Sequence, residues 1–303
     1  MLGAGGVLGA AWTIGALKAV QDETGWDPRE AEVLIGTSAG SVLASALACG
    51  FGVEDLLETQ QRKPDARIDF DADEATGGPL PPLPRPGIGS PRGLVSAALH
   101  PFRVTPLGAL SAAMPQGRGD ITPIGRLVDN VLPAGGWAPH RRTWIVAMDY
   151  DSGRRVPFGQ IGQPLAELRD AVMASCAIPG WYPPVTIGKR RYVDGGVCSP
   201  TSVDLVTRLG LDHVYVLSPM TSVSYDDPDG VAARIERRFR RIVTKRVLSE
   251  IKKVAATGTK VTFLGPTAAD LEVMGANLMD PRKRGAVLET AIATSSQALR
   301  SAA

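Results

Sequence analysis

Histidine and cysteine are scarce, with three of each in 303 residues. With only His100, His140 and His213 available, a mechanism that needs several imidazoles is excluded. Cys49, Cys176 and Cys198 are odd in number, widely spaced and without a CxxC pair. That pattern argues against a disulfide framework or a structural zinc site and points to a reducing compartment. Long hydrophobic runs are missing as well. None approaches the ~18 residues of a membrane-spanning helix, and the N-terminus carries glycines where a signal peptide has a basic region and an apolar core. Neither sign of charge is in excess: 33 Lys+Arg face 31 Asp+Glu. A formal charge of +2 gives no reason to expect a nucleic-acid partner. The composition therefore reads as a soluble, cytoplasmic protein that would touch a membrane only from its surface.

Short β-rich runs alternate with helix-forming stretches. The runs are Glu32 to Ile35, TWIVAM (Thr143 to Met148), HVYVL (His213 to Leu217) and KVTFL (Lys260 to Leu264). Helical patterns cover Ala10 to Val20, Ser41 to Ala48, Val53 to Gln61, Pro123 to Leu132, Leu165 to Ser175 and Ser202 to Leu209. Such alternation predicts an α/β layered fold with a mainly parallel sheet. Arg154 to Phe158 and Val185 to Val193 add hairpin or edge strands. At ~150 residues per domain the length suits one or two domains, and a single domain over 1–303 fits best. Pro64 to Asp120, with PLPPLPRPGIGSPRG at its centre, has little periodicity and is expected to be an irregular insertion or a lid. The C-terminal part, 230–303, is expected to be helical.

Three motifs carry chemistry. Gly36-Thr37-Ser38-Ala39-Gly40 lies between the apolar Val33-Leu34-Ile35 and the helix-forming SVLASALA. A serine on so tight a strand-to-helix turn projects its hydroxyl outward, and flanking glycines make the turn sterically accessible. The following helix aims its N-terminal amides at developing negative charge. The second motif is LGAGGVLGAA, Leu2 to Ala11. A dinucleotide fingerprint would meet Leu8 where its third glycine belongs, and a P-loop would need a Gly-Lys-Ser/Thr ending. An oxyanion loop and a purely structural turn both stay open. Third, Asp194 in YVDGGV is a carboxylate on a glycine turn, formed by Gly195 and Gly196, and could serve as a serine's base without an imidazole.

With ASCAIPGWYPPV (Ala174 to Val185) as a fourth block, the order LGAGGVLGAA, GTSAG, ASCAIPGWYPPV and VDGGV resembles the patatin-like phospholipase family over residues 1 to about 220. The resemblance implies a three-layer α/β/α fold and a Ser-Asp dyad that hydrolyses acyl esters of lipids without a metal or organic cofactor. Matched by position, Ser38 is the nucleophile and Asp194 its base. Gly5 and Gly6 sit in the oxyanion loop, and Gly3 and Gly9 shape its turn. Two departures stand out: Leu8 occupies the place where the family usually carries Lys or Arg, and only Met1 and Leu2 precede the loop, where the family has its first strand. Met173, Trp181 and Tyr182 are candidates to line an acyl cleft.

Two competing functions are a lipid-binding scaffold on the same fold and an esterase with a Ser38-Asp194-His213 triad in α/β-hydrolase order. Finally, RIERRFRRIVTKRVLSEIKKV (234 to 254) pairs an apolar stripe (Ile235, Phe239, Ile242, Val247, Ile251, Val254) with a basic face. It reads as a core-packing helix or as a surface for anionic membranes.

Overall fold

The computed structural model describes residues 1–68, 80–222 and 230–302. Residues 69–79 of the expected insertion and the side chain of Ile235 in the expected stripe lie outside them. In chain order the helices are α1 (Gly6–Thr24), α2 (Ala39–Ala48), α3 (Val53–Gln60), α4 (Pro91–Leu99), α5 (Pro106–Ala113), α6 (Thr122–Val131), α7 (Leu168–Cys176), α8 (Val231–Ala255), α9 (Ala268–Met274) and α10 (Arg284–Ala302). The strands are β1 (Leu34–Thr37), β2 (Thr143–Asp149), β3 (Arg155–Phe158), β4 (Val185–Ile187), β5 (Arg190–Asp194), β6 (His213–Leu217) and β7 (Lys260–Leu264).

The pleat of the strands separates two cores. Successive side chains of a strand point to opposite faces. Leu34, Ile145, Ala147 and Leu217 join one cluster with α1, α2, α3, α6, α7, α9 and α10. Their neighbours Ile35, Trp144, Val146, Val214 and Val216 join another with Val203, Val206 and Val247 and Val254 of α8. Both faces are covered, which is why β2 is buried along its whole length and reads as a continuous apolar run. The result is a three-layer α/β/α fold. Helix α10 lies along α1 so closely that a Cβ on Gly15 would sit 2.8 Å from the Cβ of Ala291.

The sheet is mixed rather than mainly parallel. Strand β1 is parallel to β2 and β6 to β7, whereas β3 and β5 are antiparallel to β2, and β4 to β5. Leu2 joins the two groups by pairing in parallel with both Gly36 and Leu217. Local periodicity carries no strand direction, so the hairpin β4–β5 was legible and its antiparallel seat on β2 was not.

The register holds a further detail. Ile145 faces Phe158 of β3 on one edge of β2 and Gly36 of β1 on the other. Ala147 faces Val156 of β3 on the first edge and Asp194 of β5 on the second. Strands β1 and β5 therefore share one edge of β2 and run toward each other. They end against consecutive residues, Thr37 opposite Val146 and Asp194 opposite Ala147.

Three expectations need correction. The stretch 64–120 is not irregular throughout: it holds α4 and α5, which Ser90 and Thr105 cap from the side chain with proline at the first helical position. In Ser-Pro and Thr-Pro the proline starts a helix instead of breaking one. Ser202 to Leu209 forms only a 3-10 turn, Val203–Val206, because Ser202 is left-handed (φ 56°) and Asp204 is clamped by both guanidinium nitrogens of Arg155. The part from 230 onward carries β7 between its helices.

Helix α8 also departs from its expected stripe. Arg237 and Arg240 are buried and Ile242 is exposed. Arg240 pairs with Glu236 and donates to the carbonyls of Pro219 and Thr221 at 2.6 and 3.3 Å. Loop carbonyls needing donors, not apolar surface, meet that side of the helix.

Candidate active site

Ser38 follows directly on β1 and precedes α2, with φ 54° and ψ −126°. A non-glycine residue there is strained by ~1–3 kcal/mol and persists only where its surroundings over-determine it. The surroundings are identifiable. A Cβ on Gly36 would collide with the carbonyl oxygen of Gly40, and a Cβ on Gly40 with that of Leu2. The GTSAG turn thus closes on itself and packs onto the glycine loop because both positions lack side chains. The Ser38 amide donates to Ser175 Oγ at 2.9 Å, and that hydroxyl donates to the Val146 carbonyl at 2.6 Å. Ser38's own carbonyl accepts from the amide and hydroxyl of Ser41 at 2.7 and 2.6 Å.

Asp194 arrives from the other direction on β5. Its amide donates to Ala177 O at 3.0 Å, and its Oδ1 accepts from the Gly196 amide at 2.7 Å. The Ser38 side chain acts on the same carboxylate and favours its ionised form. The head-to-head ends of β1 and β5 thus bring together two side chains far apart in sequence. Gly195 makes room for this: a Cβ there would collide with Val146 O and approach the Thr37 methyl at 3.2 Å. Ser38 is 4% and Asp194 5% exposed. Burial pushes the Asp194 carboxyl up to about 6, against the opposing influence of the Ser38 side chain and the hydrogen bond from the Gly196 amide.

The glycine loop lies between the two. A Cβ on Gly40 would come within 2.8 Å of Gly3 O, and one on Gly196 within 3.2 Å of the Ala4 Cβ. Gly5 caps α1, and Gly6 has φ 61°. The Leu8 amide donates to Leu278 O and the Gly9 amide to Gly5 O, both at 2.9 Å, while Gly5, Gly6 and Val7 have no backbone acceptor among the described residues. Helix starts leave such N–H groups unsatisfied, at the positive end of the dipole. Gly3 and Gly9 permit close approach: a Cβ on Gly3 would be 3.0 Å from Leu217 O and one on Gly9 3.1 Å from Pro219. Leu8 is wholly buried in the core.

Other candidates fall elsewhere. His213 stands at the start of β6, four residues before the Leu217 that Leu2 aligns with Gly36, or ~13 Å along the strand. Its Nε2 is 2.8 Å from Thr262 Oγ1. The structure does not bring it to Ser38 and Asp194. His140 Nε2 contacts Ala31 O at 2.7 Å, and His100 Nδ1 contacts Ser96 O at 3.3 Å. Tyr182 is core, Trp181 is half-buried and its carbonyl accepts from the Gly119 amide at 2.8 Å, and Met173 packs toward Gly125. Sequence reasoning singled out the block from Ala174 but missed Ser175. With Ala177 it gives the block a concrete task, since one residue bonds the Ser38 amide and the other the Asp194 amide.

Among known families, a model described as patatin-like phospholipase matches residues 1–207. No curated protein sequence matches the chain. Among solved structures, the crystal structure of VipD from Legionella pneumophila aligns over 98% of this chain at 13% identity and a TM-score of 0.45. The chain spans 66% of the length of that one.

Proposed function

Because the chain belongs to the patatin-like phospholipase family, and with it to the lipid acyl hydrolases, we propose that it cleaves carboxylic esters of lipids with Ser38 as nucleophile and Asp194 as base. The observation that carries this reading is the meeting of the strained Ser38 and the buried Asp194 at the ends of β1 and β5, set against consecutive residues of β2. A base is most useful when its pKa lies near the working pH. A pKa of about 6 leaves Asp194 largely ionised at pH 7, yet still able to hold a proton.

Ser38 Oγ attacks the ester carbonyl carbon while its proton passes to Asp194. The carbonyl oxygen becomes an oxyanion held by the amides of Gly5 and Gly6 at the start of α1. Collapse breaks the bond to the alcohol, which takes the proton from Asp194 and leaves an acyl-serine. Asp194 then takes a proton from a water molecule as its oxygen attacks the acyl carbon, and returns that proton to Ser38 Oγ as the bond to the acyl group breaks and the fatty acid leaves. Ser175 acts as a positioning residue by fixing the Ser38 amide against β2. We take residues 1–303 as one catalytic unit. Among the described residues no helix is long and apolar enough to cross a membrane. Peripheral attraction through 234–254 would use the exposed Arg238, Lys245, Lys252 and Lys253 of α8.

The test is covalent labelling with a fluorophosphonate probe, read by intact mass on wild type, Ser38→Ala and Asp194→Asn. One adduct on wild type, lost in Ser38→Ala and strongly slowed in Asp194→Asn, is the expected result. A folded wild type that takes no adduct while still binding lipid would overturn the hydrolase reading in favour of a lipid-binding scaffold.

A further inference from the structure

We propose that α4, α5 and the segment leading into them form a docking face for the surface of an anionic lipid aggregate. Among the described residues, seven of the eleven large apolar side chains left in solvent lie between positions 80 and 110. Single exposed apolar residues are ordinary, but such clustering marks an interaction site. Helix α4 shows how deliberate the exposure is. Its side toward the protein carries Gly93, buried where a Cβ would be 2.6 Å from Tyr150 O, and Ser96, whose hydroxyl donates to Ser152 O at 2.9 Å. Val95 and Leu99, one helical turn apart, face the solvent, and Phe102 follows just beyond the helix, fully exposed. A helix of a water-soluble surface has the opposite polarity, with its large apolar groups turned inward.

Charge selects the occupant. Residues 80–119 contain Arg85, Arg92, Arg103 and Arg118, all exposed, and no Asp or Glu. Apolar side chains interspersed with arginine suit the boundary between anionic headgroups and acyl chains. A second copy of the chain docked through the same face would set arginine against arginine. The face is also tied to the site's surroundings. Thr105 Oγ1 donates to Val197 O at 2.6 Å, three residues beyond Asp194, and the Gly119 amide bonds Trp181 O. Docking would therefore bring Ser38 and Asp194 to the lipid surface, with α8 contributing attraction at most.

The full chain carrying Ser38→Ala is co-sedimented with vesicles of phosphatidylcholine alone and of phosphatidylcholine with phosphatidylglycerol. Vesicle binding needs no turnover, so failure of the dyad and failure of the docking face give separate results. Val95→Ser/Leu99→Ser/Phe102→Ser should lower vesicle affinity at least tenfold, while the same triple change in an otherwise wild-type chain leaves probe labelling of Ser38 unchanged. Arg92→Ser/Arg103→Ser should remove the preference for anionic vesicles. Phe102→Trp, which keeps an aromatic side chain, should give a blue-shifted emission when anionic vesicles are added. Undiminished binding by the triple variant, an emission spectrum of Phe102→Trp that vesicles leave unmoved, or a wild-type dimer that the triple variant dissociates would each overturn the proposal.

Discussion

Replacing Asp194 with asparagine should stop hydrolysis and at the same time stabilise the fold. The carboxyl is held at about 6 by burial, while an aspartate in the unfolded chain titrates near ~3.9. Between those values the folded state binds more protons than the unfolded one, so stability falls as pH rises through that window. Below it both states are protonated and the carboxyl adds nothing. Above it the buried carboxylate costs about 3 kcal/mol, a figure obtained from a shift of about two pKa units. Asparagine has the same shape, accepts from the Gly196 amide and cannot ionise. Urea unfolding of wild type and Asp194→Asn at pH 4, 5.5 and 7.5 isolates this contribution, because every other titrating group cancels in the difference. The two should match at pH 4, and the variant should lead by about 3 kcal/mol at pH 7.5. In parallel, kcat/KM of wild type on a soluble ester should rise about tenfold from pH 5 to pH 7, following ionisation of the base. Stability curves that stay parallel across the whole range would refute the argument, since they would mean that the carboxyl is not desolvated.

Other substitutions test the supports of the site. Ser175→Ala leaves the Ser38 amide and the Val146 carbonyl without their shared partner. It should cost about 2 kcal/mol in denaturant unfolding and slow probe labelling of Ser38 even in the fully folded protein. Gly40→Ala drives a Cβ into the Leu2 carbonyl and should destabilise by ~3 kcal/mol or more, seen as a lower melting temperature. Gly5→Ala meets Pro219 at 2.6 Å and Gly9 Cα at 2.7 Å. It should displace the loop and reduce kcat about 100-fold, with the circular dichroism spectrum unchanged.

The candidate dyad was legible because its signals are local. A strand, a GxSxG turn and a helix are contiguous, and Asp194 is marked by its glycine turn. Strands β6 and β7 were legible to the residue, since HVYVL and KVTFL are runs of β-branched and aromatic residues between turns. What could not be read depends on distant partners. Ser175 is one more small residue in a helical pattern, and only the fold brings Ser38 and Val146 to it. Arg240 looks like part of a solvated basic face until the carbonyls of Pro219 and Thr221 are placed beside it. Helices α4 and α5 are hidden for a different reason: in a proline-dense stretch the same residue type breaks a helix or starts one, and only the Ser or Thr before it marks the start.

The meeting of β1 and β5 along one edge of β2 makes that strand a common ruler. Thr37 and Asp194 are read off at adjacent graduations, Val146 and Ala147. A shift of β2 carries both ends together and preserves their spacing, whereas a one-residue slip of either partner opens the gap by ~3.4 Å and turns its side chains to the other face. Tolerance is therefore unequally distributed: insertions in the connection from α2 to β2, or between β3 and α7, leave the pair aligned, while a single residue gained or lost within Gly36–Ser38, Ser175–Ala177 or Tyr192–Gly195 separates it.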